Sequence, residues 1–418
     1  MLVLSILAAA GLIVLAQRKR LYAVAAVLFL LPSYLIRFDL FDIPMTMLET
    51  LILTLFIVFV AQERKNIRKL LTKRSWLRSP SFWLIAPLLV ASIFNLLITP
   101  DLEAGLGICK AFILEPILFY LVLINTVKTE KDVRTVVWAL GLSAAAISLI
   151  AAIQYLTGIG IPDPWHDFPN RRATSVYGFP NAVGLYVAPI LTLFIGVLAH
   201  VKFFTRRNIL LTLGMMMLML FALIVARVEG ALVAVAAGSV VILLFTKWWK
   251  HALIVSAVIL VGVFAMDSTR EILMFQDTSG DVRLALWEGT SNLLKEQPVF
   301  GAGLGAFPIV YDIYRLPSHV ELLQYPHNIF LNFWVELGLL GLLWIIGSVI
   351  HFFRQAWVAR KCSAGYSFVV IGVVVATLVY GLVDVPYFKN DVAVLFWIWL
   401  GLLTITSQLH DRTRNNPT

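Results

Sequence analysis

Long apolar runs divide the chain at 1–17, 21–36, 44–61, 81–99, 106–127, 135–157, 182–201, 209–226, 230–246, 252–266, 329–353, 367–383 and 392–409. A helix needs about 20 apolar residues to cross a bilayer, and runs near that length recur over the whole sequence. Composition agrees. Of 418 residues, 60% are apolar and 14% charged, and mean hydropathy is +0.88. Soluble domains are roughly half apolar and a quarter charged, so a soluble globular protein is excluded. With 25 Gly and 17 Pro, collagen-like and disordered classes are excluded too. The expected fold is all-α and integral to the membrane: one polytopic domain over 1–418, a bundle of about 12–13 transmembrane helices.

Charge sets the orientation. The net charge is +9, which in a membrane protein reads as loop charge and not as nucleic-acid binding. The segments 17–20, 62–79, 128–134, 200–207, 247–250, 354–361 and the C-terminal tail hold 23 of the 33 basic residues. Short loops rich in Lys and Arg stay cytoplasmic, so the other loops face outward. The first run is not read as a signal peptide, because its basic cluster follows the apolar stretch. The two cysteines, Cys109 and Cys362, fall on opposite sides and form no disulfide framework.

Two outer loops stand out, 157–181 and 267–328. Loops of such length are usually functional or disordered. Within the second, 280–298 places Val282, Leu286, Leu293 and Leu294 on one face beside Trp287 and ends at Pro298. This predicts an amphipathic helix, expected at the membrane interface.

Basic residues on the outer side need a reason. Arg171 and Arg172 sit in a Pro- and Gly-rich turn, Arg227 between two runs, Arg283 at the start of the amphipathic helix, and Lys110 just inside a span. Charges at membrane depth are costly. Guanidinium groups grip phosphate oxygens at two points. Each alone is equally well read as a snorkelling side chain or an ion pair with Glu103, Glu115, Glu229 or Asp281; together they favour a bound anion. His327 closes the large loop and opens a span, where a neutral imidazole suits general-base work. Asn328, Asn332 and Glu336 follow on one helical face, which turns toward the bundle. Glu336 lies too far along the helix to orient His327, about 13 Å by helical rise. The sequence holds no HExxH, no Cys/His ligand spacing and no Asp-rich cluster, so neither a protein-held metal nor another cofactor is expected. GAGLG at 301–305 lacks a preceding strand and a Walker lysine, and reads as a turn beside Pro298 and Pro308.

Three segments carry a family resemblance: RRATSVYGFPNAVGLYVAP (171–189), GDVRLALWEGTSNLLKEQPVFGAGLGAF (280–307) and YPHNIFLNFWVELGLLGLL (325–343). Together they resemble the O-antigen ligase and polymerase superfamily. IPMTMLETLIL (43–53), GICKAFILEPILFY (107–120) and DVPYFKNDVAVLFW (384–397) are similar as well. The resemblance implies a membrane glycosyltransferase of the bacterial inner membrane. It moves a glycan from a polyprenyl (undecaprenyl) diphosphate carrier to an acceptor sugar hydroxyl, on lipid A-core or another glycan, at the periplasmic face. It implies that His327 activates the acceptor. Arg283 and Arg172, or Arg171, would grip the diphosphate, aided by Lys110 and Arg227, with Asn328 and Trp287 in support. ARVEGA (226–231) departs from the family pattern around Arg227.

Fixed cations stabilise a leaving diphosphate, and no paired carboxylates stand ready for double displacement, so inversion without a metal is expected. A polymerase of the same superfamily would use a growing lipid-linked glycan as acceptor. A lipid-linked oligosaccharide transporter would spread charge through the spans of two repeated halves, whereas these charges gather outside. A non-catalytic scaffold of a polysaccharide machine would transfer nothing when purified.

Overall fold

A computed structural model describes residues 1–73, 80–200, 206–246, 249–250, 275, 278–317, 323–359 and 364–415. Every apolar run within them is helical, and the run 252–266 lies outside. The first two runs form one helix, α1 (Leu2–Phe29), bent at Lys19, where φ is −155° and ψ is 95°. After it come α2 (Met47–Lys73), α3 (Pro80–Ile98), α4 (Leu102–Ile108), α5 (Glu115–Thr126), α6 (Glu130–Thr157), α7 (Asn181–His200), α8 (Arg206–Val225) and α9 (Glu229–Leu244). The second half holds α10 (Thr278–Glu296), α11 (Phe307–Tyr311), α12 (Ile329–Ala359), α13 (Ala364–Gly381) and α14 (Asn390–Asn415). One hairpin interrupts the helices: β1 (Arg37–Leu40) pairs antiparallel with β2 (Ile43–Thr46).

Among the described residues, 8 helices are long and apolar enough to cross a membrane, and Glu229–Leu244 and Ser367–Gly381 are shorter apolar helices. The chain is an all-α polytopic membrane protein. Its helices pack through small residues, as expected where lipid gives no hydrophobic drive between them. α9 and α13 meet at Gly238 and Gly372, where a Cβ on Gly238 would stand 2.5 Å from the Gly372 carbonyl oxygen.

The two ends of the bundle differ. At one, the Arg20 guanidinium donates to Thr126 Oγ1 at 2.9 Å, Gln62 Oε1 at 3.1 Å and Glu63 Oε1 at 3.0 Å. Three segments expected on the same side therefore meet. α6 starts nearby with a capping box, Thr129 and Asp132 satisfying each other's backbone N–H. Its length, about 42 Å by helical rise, carries the chain to the other end, where Gly158 stops it at φ 77°.

At that far end the loops are tied down. Gln154 Nε2 donates to the Gly160 and Ser175 carbonyls, and its Oε1 accepts from Thr174 N and Ser175 N. One buried amide thus pins the 157–181 loop. The turn at 301–305 seats in a break of α12. Gly338 has φ 64°, and the interruption frees the Val335 carbonyl to accept from Ala302 N at 2.8 Å.

α10 forms where the periodicity predicts, and its apolar face packs against protein. Leu286, Leu293 and Leu294 are buried in a second core with Ala302, Phe307, Tyr311 and Val335. The GAGLG turn and α11 fold over that face.

Candidate functional site

The segment 382–385, between α13 and α14, is the hub of a polar cluster at the end of α6 that Gly158 caps. Its backbone and one carboxylate receive four side chains from three segments. Asn328 Nδ2 donates to the Leu382 carbonyl at 3.1 Å. Arg283 Nε donates to the Val383 carbonyl at 3.0 Å. Asn181 Nδ2 donates to Asp384 Oδ2 at 3.3 Å. His327 Nδ1 stands 3.4 Å from Asp384 Oδ1. That is ion-pair distance, but the imidazole is not aligned for a hydrogen bond in this conformation. Asp384 is 1% exposed. Burial raises its carboxyl, yet His327, Val385 N–H and Arg283 outweigh burial and leave it below its ordinary value.

His327 is held in a conformation that L side chains rarely adopt, φ 47°. Its neighbours fix it there. Trp287 Nε1 on α10 donates to the Pro326 carbonyl at 2.9 Å. Asn328 Oδ1 caps α12 by accepting from Phe330 N and Leu331 N. The Tyr325 ring meets the imidazole edge-on at 4.9 Å. Backbone strain of this kind clusters at functional sites. Arg227 repeats it at φ 49°.

The arginine doublet divides. Arg171 turns back into its own loop, donating to the His166 and Tyr155 carbonyls at 2.8 and 3.2 Å and lying over Phe168. Arg172 turns into the cluster, where its Nε and Nη2 donate to the Ala226 and Arg227 carbonyls at 3.0 Å each. Its Nη2 also reaches Asn181 Oδ1 at 3.3 Å. Burial lowers the Arg172 guanidinium from its ordinary value, and Arg227 and Arg283 push in the same direction while Glu229 and Tyr380 oppose them. Arg227 Nη2 donates to the Pro169 carbonyl at 2.7 Å. Every hydrogen bond described for Arg172, Arg227 and Arg283 ends on a neutral carbonyl oxygen. Among the described residues, none of the three has a carboxylate within ion-pair distance.

Lys110 stands elsewhere. Its Nζ pairs with Glu49 at 2.9 Å and donates to the Pro44 carbonyl at 2.8 Å, tying a π-helical turn, Cys109–Leu114, to the hairpin. Its partner is none of the four acidic residues weighed from sequence. Glu336 serves Gly305 N at 2.6 Å and Asn332 is buried, so that helical face does turn inward. Among the described residues no group of three His, Cys, Asp or Glu is arranged to hold a metal. His319 and Cys362 lie outside the described residues; Cys109 is buried and free.

Sequence reasoning missed Asp384, Asn181 and Tyr325. The signal for Asp384 was its place among apolar residues just after a span, where a charge is expensive.

The fold and site define a multi-pass helical membrane protein with an arginine-rich polar cluster at one end of its bundle. Residues 214–346 match the family described as O-Antigen ligase, a stretch that holds Arg227, Arg283, Trp287, His327 and Asn328. The chain is 24% identical over 305 residues to the O-antigen ligase of Salmonella typhimurium, covering 65% of this chain and 69% of that protein. Over these stretches the chain is similar to O-antigen ligases.

Proposed function

We propose that the chain is a membrane glycosyltransferase acting as a ligase. It moves a glycan from undecaprenyl diphosphate to an acceptor sugar hydroxyl, such as one on lipid A-core, at the periplasmic face of the inner membrane. The observation that supports this reading is a chain of contacts in which Arg283 bonds the backbone beside Asp384, Asn181 links Asp384 to Arg172, and Arg172 bonds the Arg227 carbonyl, with only neutral oxygens bonded to the three guanidiniums. Guanidiniums with no carboxylate at ion-pair distance among the described residues favour an anion, and their planar forks suit phosphate oxygens.

The chemistry follows from the placement. The acceptor oxygen forms a bond to the anomeric carbon while the carbon–oxygen bond to the diphosphate breaks. The electron pair leaves on the diphosphate, whose charge the arginines stabilise. The hydroxyl proton passes to His327. Asp384, facing Nδ1, leaves Nε2 to receive it and stabilises the imidazolium. One displacement inverts the anomeric carbon and requires no metal. Trp287 and Asn328 hold the turn that presents the imidazole, and Arg171 holds the loop that carries Arg172.

The test is transfer by purified, reconstituted protein given undecaprenyl-diphosphate glycan and candidate acceptors, with products read by mass. His327→Ala should abolish transfer with insertion and thermal unfolding unchanged. Near wild-type turnover by a folded His327→Ala protein would refute the assignment.

A further inference from the structure

Asn181, the first residue of α7, bridges two parts of the cluster through the two ends of one amide. Its Oδ1 accepts from Arg172 Nη2 at 3.3 Å, and its Nδ2 donates to Asp384 Oδ2 at 3.3 Å. Only this orientation suits both neighbours, because a guanidinium offers donors alone and a carboxylate acceptors alone. The reversed amide would set N–H against N–H and oxygen against oxygen.

The backbone of Asn181 is held as well. Tyr380, buried on α13, donates its hydroxyl to the Asn181 carbonyl at 3.2 Å. Gly184 leaves room for that approach, since a Cβ there would stand 2.7 Å from the same hydroxyl. Asn181 is thereby pinned from the 157–181 loop, from α13 and from the segment after α13.

Polarisation passes along such a chain. An amide whose oxygen accepts from a cation is a stronger N–H donor. Asn181 therefore draws on the charge of Asp384 at Oδ2, while Oδ1 of the same carboxylate faces His327 Nδ1 at 3.4 Å. At its other end it gives the Arg172 fork a fixed acceptor beside the Ala226 and Arg227 carbonyls.

We propose that Asn181 is a positioning residue that sets the basicity of His327 through Asp384 and the geometry of the diphosphate grip through Arg172. The proposal rests on the glycosyltransferase reading above and adds that base and grip answer to one amide. Other groups act on the same two side chains. Arg283, Tyr325, Tyr380 and Lys389 interact with Asp384, and Glu229, Tyr380, Arg227 and Arg283 with Arg172. A substitution at Asn181 removes none of them, so a moved pH profile is assignable to the amide.

The experiment is the pH dependence of transfer by purified, reconstituted protein, with undecaprenyl-diphosphate glycan and core-terminated lipopolysaccharide varied in turn. Asn181→Leu keeps the size of the side chain and removes both ends of the bridge. A general base works only when neutral, so the rate falls on the acid side as the imidazole takes up a proton. Without the Asn181 donor, Asp384 keeps more charge for the imidazolium, and the acid limb of kcat should move to higher pH by about half a unit to one unit. Donor KM should rise about three- to tenfold as Arg172 loses an anchor, with acceptor KM within about twofold. Asn181→Asp keeps an acceptor for Arg172 but sets a second carboxylate against Asp384. Its acid limb should move in the same direction, and its donor KM should rise because an ion pair now spends the guanidinium. An acid limb and a donor KM that both stay at wild-type values in a folded Asn181→Leu protein overturn the proposal. A lower kcat with an unmoved limb overturns it too, since a merely structural role would give that result. If Asn181→Leu does not fold, Asn181→Asp decides on the same criterion. A wild-type protein that transfers nothing overturns the glycosyltransferase reading, and this proposal falls with it.

Discussion

His327 Nδ1 and Asp384 Oδ1 lie 3.4 Å apart, one at the mouth of α12 and the other just past the end of α13. The carboxylate is buried, and its second oxygen is taken by Asn181, which also receives Arg172. The proposed base, its neighbouring carboxylate and the proposed anion grip are thereby joined in one chain of contacts.

Asp384→Asn should keep the shape of this contact and remove its charge. Transfer should fall by roughly 10²- to 10⁴-fold, the range seen when a carboxylate behind a catalytic histidine is neutralised. A stability effect should depend on pH. The folded carboxyl lies below its ordinary value of 3.8, so the unfolded chain takes up the proton first. The stabilisation is fully present above that ordinary value and lost as pH falls through the lower folded one. Thermal unfolding in detergent should therefore show a wild-type advantage that is constant from about pH 5 to 8 and shrinks below about 4. An advantage that grows on acidification would contradict the sign of the shift.

Arg171 and Arg172 are neighbours with different tasks. Arg172→Gln should lower transfer by about 10²-fold or more, because a preorganised donor to the departing charge is lost. Arg171→Gln should chiefly lower the melting temperature, by a few degrees for a loss of about 1 kcal/mol, with activity near wild type below it. Equal loss of activity in the two folded variants would mean that the loop, not the guanidinium, is what matters.

Arg283→Lys should be nearly as damaging as Arg283→Ala. Arginine spends Nε on the Val383 carbonyl and keeps further donors for an anion. Lysine, a single ammonium, cannot hold the hub and the substrate in the same geometry. The expected loss is about 2–4 kcal/mol, roughly 30- to 1,000-fold in rate. EDTA should not reduce wild-type transfer. Activity that disappears with EDTA and returns with magnesium or manganese would replace the arginine-only scheme with a metal-assisted one.

Gly301→Ala should destabilise the protein without touching the cluster. Gly301 has φ 67°, and a Cβ there would run into the Val335 carbonyl oxygen. The cost should be at least about 1–3 kcal/mol, seen as a lower melting temperature in detergent. Unchanged stability would mean that the turn does not need its close seat in α12.

The helices were legible because hydropathy is a local property, although the first two runs share one helix. The stop at Pro298 is local for the same reason. The sequence marks breaks at 17–20 and 37–43 but not their form, which is a bend inside one helix at Lys19 and a hairpin between Leu40 and Ile43.

The site divides along the same line. His327, Arg283 and Arg172 were visible as costly polar residues beside spans and through a family resemblance. Asp384 was quoted in that resemblance and given no task, because a lone aspartate after a span has no partner until α12 and α13 are set side by side. Lys110 looked as available as Arg227 from sequence, yet Glu49 neutralises it. Sequence by itself determined which residues carry charge at the ends of the spans. Tertiary structure alone decided which of those charges are spent on neighbours and which are left for a ligand. Pairing depends on contacts a few ångströms long between segments far apart in the chain, and no local pattern records them.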